Sequence, residues 1–191
     1  MPAPERTTTA AIVDAGREVL ESAGPAGLTM QAVAARVGVR APSLYKRVRD
    51  REALVSAVAE AAADDLTARL DAVGDDLPAL AEAYRDFAHA HPEAFRLLFT
   101  AATPEGALHR SSAPVLRACE ALVGEADALA AARLFTAWAT GFLHMELSGA
   151  FRLGGDVGAA FRYGLRSIVA GLTAGAGASA EASARASAEV S

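Results

Sequence analysis

Six basic side chains, Arg36, Arg40, Lys46, Arg47, Arg49 and Arg51, lie close together in the chain with a single acid, Asp50, among them. Clustered positive charge of this kind engages phosphate oxygens, and an arginine within it can also donate two parallel hydrogen bonds to a guanine edge. The chain as a whole carries a net charge of −5, and beyond residue 60 it holds ten Lys and Arg against sixteen Asp and Glu. A basic segment on an acidic protein can take up phosphate while the remainder is repelled from it.

The segment that must position these groups is Thr29–Leu54, which reads as two short helices joined by a turn. Met30, Val33, Ala34 and Val37 recur at the spacing of one helical face, with Thr29 as N-cap and Leu28 and Val33 placed as a hydrophobic staple. Gly38 stands where a helix stops in a left-handed turn, and Pro42 suits the first turn of a second helix. In that helix Leu44 and Val48 face inward, leaving Arg40, Ser43, Tyr45, Lys46 and Arg47 toward solvent.

These residues resemble the recognition segment of TetR-family transcriptional regulators, whose pattern runs roughly Gly-Val-x-x-x-x-Leu-Tyr-x-x-Phe-x-x-Lys-Glu-x-Leu. The chain supplies Gly38, Val39, Leu44, Tyr45, Arg51, Glu52 and Leu54. It departs from the pattern at Val48, where the family has Phe, at Arg51, where it has Lys, and at Arg40, where Ser or Thr is common. The resemblance implies phosphate contacts from Thr29, Tyr45, Lys46, Arg47 and Arg51, and base-edge contacts from Arg40, Ala41, Pro42 and Ser43. It also implies a double-stranded DNA operator read by a homodimer, whose two copies would sit about 34–36 Å apart on a palindrome.

The rest of the chain reads as all-α. Its 191 residues are 52% hydrophobic, much of that alanine, and no strict apolar alternation marks a strand. About nine helices are expected. The domain division reads as a helix-turn-helix DNA-binding domain at 1–51, a helical ligand-binding and dimerisation domain at 52–173 that starts with a connecting helix, and a disordered Ala/Gly/Ser-rich tail at 174–191. Residues 1–8 form a polar arm in which Arg6 is the only base. Residues 101–112 read as a mobile loop, with the next helix starting at Pro114. The apolar run from Leu134 to Met145 is too short to span a membrane, the N-terminus lacks the apolar core of a signal peptide, and a cytoplasmic location is expected. Cys119, the only cysteine, reads as a small core residue.

Enzyme chemistry finds no support. His144 with Glu146, and His89 with His91, are each two residues apart and point about 200° round a helix from one another, so neither pair converges on a metal. No glycine-rich phosphate loop precedes a strand, no nucleophile elbow is present, and no cofactor is expected. Aromatic and polar residues of the second domain instead suggest an apolar cavity for a small effector. Tyr84, Phe87, His91, Phe95, Phe99, Trp138, Phe142, His144 and Met145 are the candidates to line it. The helix carrying Trp138 is apolar on more than one face, and in this family such a helix serves both a cavity and a dimer interface; Leu143, Leu147, Phe161, Leu165 and Ile168 are the interface candidates. Which face serves which role is open at this point. The stretch AWATGFLHMELSGAFRLGGDV loosely resembles the C-terminal domain of the TetR subgroup named for its Trp-His-Gly signature.

The function this implies is a repressor released from a palindromic operator by a small apolar effector. The effector would favour a conformation in which the connecting helices hold the two recognition helices at the wrong separation. The alternatives are a regulator of this fold that is ligand-independent or an activator, and an all-helical small-molecule-binding protein without DNA binding.

Overall fold

The computed structural model describes the backbone of residues 8–189 and the side chains of residues 8–177. The arm at 1–7 with Arg6, and residues 190–191, lie outside the described residues. Those described form nine helices and no strand: α1 (Thr9–Gly27), α2 (Met30–Val37), α3 (Ala41–Leu44), α4 (Arg51–Ala72), α5 (Leu77–Ala90), α6 (Pro92–Leu97), α7 (Glu105–Val123), α8 (Glu125–Leu147) and α9 (Val157–Glu189). None of them is long and apolar enough to cross a membrane.

Short polar side chains start several of these helices by accepting backbone N–H groups that have no partner inside the helix. Thr8 accepts from Ala11 at 3.1 Å, Thr29 from Ala32 at 3.1 Å, Asp50 from Ala53 at 2.8 Å, Asp76 from Ala79 at 2.9 Å and Asp156 from Ala159 at 3.1 Å. Helix α1 is broken at Gly24, whose φ of +68° lies in the region that favours glycine.

The chain groups into two compact units: residues up to Ala68 together with Phe87–Ser111, and Arg69–Asp86 together with 112–191. This differs from the division expected near residue 51, and the reason lies in side-chain contacts that sequence spacing does not reveal. The α4 stripe Leu54, Val58, Ala62 and Leu66 is buried together with Ile12 and Leu20 of α1. Arg17 of α1 donates to Asp65 of α4 at 2.6 Å. The Glu21 carboxylate of α1 accepts the backbone N–H groups of Glu93 and Ala94 at 3.1 and 2.9 Å, so an acid from α1 caps the start of α6.

The second unit is built round Leu80, Phe135, Ala139, Leu143, Phe161 and Leu165, all buried. Cys119 is also fully buried there, and burial pushes its thiol pKa up, so it stays protonated and unreactive.

One sequence expectation is corrected. The segment expected as a loop at 101–112 is helical from Glu105, and Pro114 sits inside α7. The turn before Pro114 is held by the buried Ala107 and by Arg110, which pairs with Asp64 at 2.8 Å and with Glu60 at 3.3 Å. The Ala/Gly/Ser-rich segment that follows residue 173 continues α9 to Glu189. Alanine occupies every second position from Ala174 to Ala188, and its helix propensity extends a helix that the packed residues of α9 have already nucleated.

Candidate nucleic-acid interface

Helix α2 is bracketed by its two ends. Thr29 caps the first turn, and Leu28 and Val33, the staple pair, are both fully buried. At the other end Gly38 adopts φ +80° and ψ +31°; its N–H donates to Ala35 and the N–H of Val39 to Ala34, closing the helix in the Schellman pattern. The chain emerges extended at Arg40, which occupies the N-cap of α3 without a side-chain cap bond. The arginine thus gives up the capping role that Ser or Thr would perform, and its guanidinium projects from the leading end of the helix.

Helix α3 itself has only four residues, yet the Leu44 carbonyl accepts from both Arg47 and Val48 at 2.8 Å, so the turn is carried on to Val48. Leu44 and Val48 are buried at 0% and 6% exposure, and they fix the opposite side of this turn outward. Arg40, Pro42, Lys46 and Arg47 are exposed, Tyr45 is 53% exposed, and Ala41 and Ser43 are half-buried. The Tyr45 ring is therefore placed at the surface and not in the core.

The basic residues divide by what they touch. Arg36 is paired with Glu18 of α1. Arg49 donates to Asp50 at 2.6 Å, and the Asp50 carboxyl is held below its ordinary pKa by the Ala53 N–H first and by Arg49 second. Arg51 is exposed yet bonded to the backbone of its own chain: its Nε donates to the Leu28 carbonyl at 2.8 Å and one Nη to the Pro25 carbonyl at 2.6 Å. Arg40, Lys46 and Arg47 are exposed basic side chains carried on one short turn. An exposed turn of this length with outward bases and a tyrosine can enter a major groove and contact phosphates on either side.

Two segments of the chain match parts of one family. Residues 12–58 match bacterial regulatory proteins, tetR family, and residues 77–168 match tetracyclin repressor-like, C-terminal domain. The chain belongs to the TetR family. It is accordingly a DNA-binding transcriptional regulator and not an enzyme, and the N-terminal match contains the whole of the turn described above. Its fold is shared by a TetR transcriptional regulator of Streptomyces coelicolor, which is 23% identical with a TM-score of 0.73 over 88% of this chain and 98% of that one. BioQ of Mycobacterium smegmatis is 26% identical, with a TM-score of 0.65 over 88% of this chain and 98% of its own. A TetR variant of Acinetobacter baumannii, in complex with minocycline, is 23% identical with a TM-score of 0.66 over 86% and 96%. No curated protein matches the sequence.

The residues expected to line an effector cavity in this TetR protein divide between the two units. Phe87, His91, Phe95 and Phe99 belong to the first unit. There Phe87 and Phe95 are fully buried, His91 packs on Phe87 with centroids 5.4 Å apart, and Phe99 is 49% exposed with its ring edge on Phe95. Tyr84, Trp138, Phe142, His144 and Met145 belong to the second unit. Trp138 stacks on Phe161 at 5.1 Å, and Phe142 packs against Phe151 at 4.8 Å and Phe161 at 5.3 Å. The Tyr84 hydroxyl lies 3.0 Å from that of Thr140, and burial pushes its pKa well up. His144 is half-buried, while Met145 is exposed on the surface.

The interface candidates fare differently from one another. Leu143, Phe161 and Leu165 are buried within the chain itself, so they build the core of the second unit and offer no surface to another molecule; Leu147 and Ile168 are half-buried. That α8 is apolar on more than one face is legible in the sequence, but not that one of those faces is covered by α9 of the same chain. The apolar side chains these helices expose are Leu129, Leu134, Met145 and Tyr163.

Sequence reasoning also passed over two glycines. A Cβ on Gly16 would come within 2.7 Å of Val58 Cγ2, and one on Gly164 within 2.8 Å of the Trp138 ring. Glycine in the middle of an apolar helical stripe is the signal that marks such close approaches.

Proposed function

We propose that the protein is a cytoplasmic, homodimeric repressor that binds a palindromic operator and is released by a small, largely apolar effector. The observation that supports operator reading is the outward set Arg40, Lys46, Arg47 and Tyr45 on the turn fixed by Leu44 and Val48. Arg40 with Ala41, Pro42 and Ser43 reads base edges; Thr29, Tyr45, Lys46 and Arg47 hold phosphates. One turn of this size binds weakly alone, so two copies on a twofold site supply both affinity and register.

The exposed apolar residues of α8 and α9 support the dimer. Ala130, Leu134, Ala137, Gly141 and Met145 follow one another at steps of three and four along α8, and Tyr163 stands exposed on α9. A groove of 260 Å³ between Ala130, Ala131 and Leu134 on one side and Gly171, Leu172 and Gly175 on the other opens on the same helices. Small residues on this face let two copies approach closely, with Leu134 filling the groove of its partner.

The aromatic side chains of the second unit, with the Tyr84 and Thr140 hydroxyls to orient a ligand, support a small apolar effector. The Acinetobacter relative that shares this fold is itself in complex with minocycline, a small molecule. Release requires the effector to bind the non-operator conformation more tightly, since equal affinity for both shifts nothing.

Selection of bound duplexes from a random pool tests the reading. A palindromic consensus with half-sites about one helical turn apart is expected. An asymmetric consensus would remove the homodimer, and no enrichment at low salt would leave an all-helical small-molecule-binding protein without an operator. An effector screen against the selected duplex then tests release, and a compound that strengthens binding would reverse the repressor assignment.

A further inference from the structure

Arg51, an exposed residue, occupies the position where the TetR pattern carries lysine, and its guanidinium is engaged by two backbone carbonyls of its own chain. Nε donates to the Leu28 carbonyl at 2.8 Å and Nη2 to the Pro25 carbonyl at 2.6 Å. Pro25 lies in the last turn of α1 after the Gly24 break and Leu28 is the residue that ends it, where carbonyls have no intrahelical donor. Leu28 directly precedes Thr29, the residue that caps α2. Arg51 is the first residue of α4, whose N-cap is Asp50. One side chain thus fastens the start of α4 to the start of α2, and it does so through two donors set in a rigid fork. A lysine ammonium is a single point on a flexible stem and does not reproduce that two-point attachment.

We propose that Arg51 is a positioning residue for operator binding and makes no phosphate contact of its own. It orients the Thr29 end of α2, and with it the turn carrying Arg40 to Arg47, against the connecting helix. The proposal rests on the DNA-binding reading and deepens it by moving one basic residue from the contact set to the scaffold.

Salt dependence separates the two roles. Each phosphate neutralised by a protein cation contributes about 0.9 to the slope of log K against log salt. Binding of one selected duplex is measured across a salt series for the wild type, Arg51→Gln, Arg51→Lys and Lys46→Ala, well below the melting transition of each. Backbone hydrogen exchange of residues 24–32 is followed in the same samples without DNA. Positioning predicts that Arg51→Gln weakens binding several-fold at every salt concentration with an unchanged slope, that Arg51→Lys fails to restore it, and that exchange at 24–32 accelerates in both. Lys46→Ala serves as the contact standard, losing about 1.8 of slope, about 0.9 from each of the two copies on the duplex, with exchange at 24–32 unaltered.

A slope reduced by about two contacts, one from each copy, in Arg51→Gln and restored in Arg51→Lys would overturn the proposal and leave the DNA-binding reading intact. Unchanged affinity and exchange in Arg51→Gln would overturn it equally. Absence of salt-dependent binding by the wild type would instead overturn the reading on which it rests, and the proposal with it.

Discussion

The Arg85 guanidinium donates two hydrogen bonds to the Glu146 carboxylate, at 2.5 and 3.1 Å, and lies 5.2 Å from the centroid of the Phe161 ring. Arg85 stands on α5, Glu146 on α8 and Phe161 on α9, so one ion pair joins three helices of the same unit. Both side chains are mostly buried, at 19% and 11% exposure, and the hydrogen bonds to Glu146 push the arginine pKa further up. Removing one partner would strand the other charge out of water, which costs more than the pair itself contributes. Glu146→Ala is expected to destabilise the fold by about 3 kcal/mol in urea denaturation. The double change Arg85→Met with Glu146→Met is expected to cost less than that single change, because no charge is left unpaired. A double variant less stable than Glu146→Ala would show that the pair is worth more than its desolvation.

A second expectation concerns Gly164. Its missing Cβ leaves room for the Trp138 ring, which stacks on Phe161 within the aromatic cluster. Gly164→Ala would place a methyl 2.8 Å from that ring and force it off its packing position. Overpacking of this sort costs about 1–3 kcal/mol, outweighing the few tenths to 1 kcal/mol that alanine adds in a helix. Trp138 is the only tryptophan in the chain, so its fluorescence reports the displacement directly while denaturation reports the cost. An unshifted emission with a stabilised fold would mean that the contact relaxes without strain.

Local features were the legible ones. Thr29 acts as the cap where the sequence places it, and Gly38 closes α2, because capping depends only on residues within one turn. The recognition turn follows from the same local pattern. What the sequence could not convey were relations across the fold. The turn of Arg51 onto Pro25 and Leu28 spans more than twenty residues, and the cap that Glu21 places on α6 spans more than seventy. Leu143 and Phe161 read as dimer-interface candidates because periodicity shows that a face is apolar without saying whether the same chain covers it. The start of α7 was obscured by Pro114, which marks a helix start in most contexts but here lies inside one.

Arg40 and Lys46 should fail in different ways. Arg40 leads the recognition turn, and Arg40→Ala is expected to relax base preference at one position of each half-site by about 1–3 kcal/mol while other positions keep theirs. Lys46→Ala should weaken all duplexes alike and flatten the salt slope. Repeating the duplex selection with each variant distinguishes them. Equal, sequence-independent losses from both would remove Arg40 from the base-reading role.

Tyr84 makes stability depend on alkaline pH. Burial is the larger influence on its hydroxyl and raises the folded-state pKa above the ordinary value of 10.0, with the Thr140 hydrogen bond opposing it in part. Between the unfolded and folded pKa values the unfolded chain holds fewer protons, so stability falls as pH rises. The contribution is fully present below pH 10 and is lost progressively above it. Chemical denaturation at pH 9 and pH 11 is therefore expected to show a larger drop for the wild type than for Tyr84→Phe, which has no proton to lose. Equal drops would mean that the hydroxyl reaches solvent in the folded protein and that the Tyr84–Thr140 pair is not sealed from water.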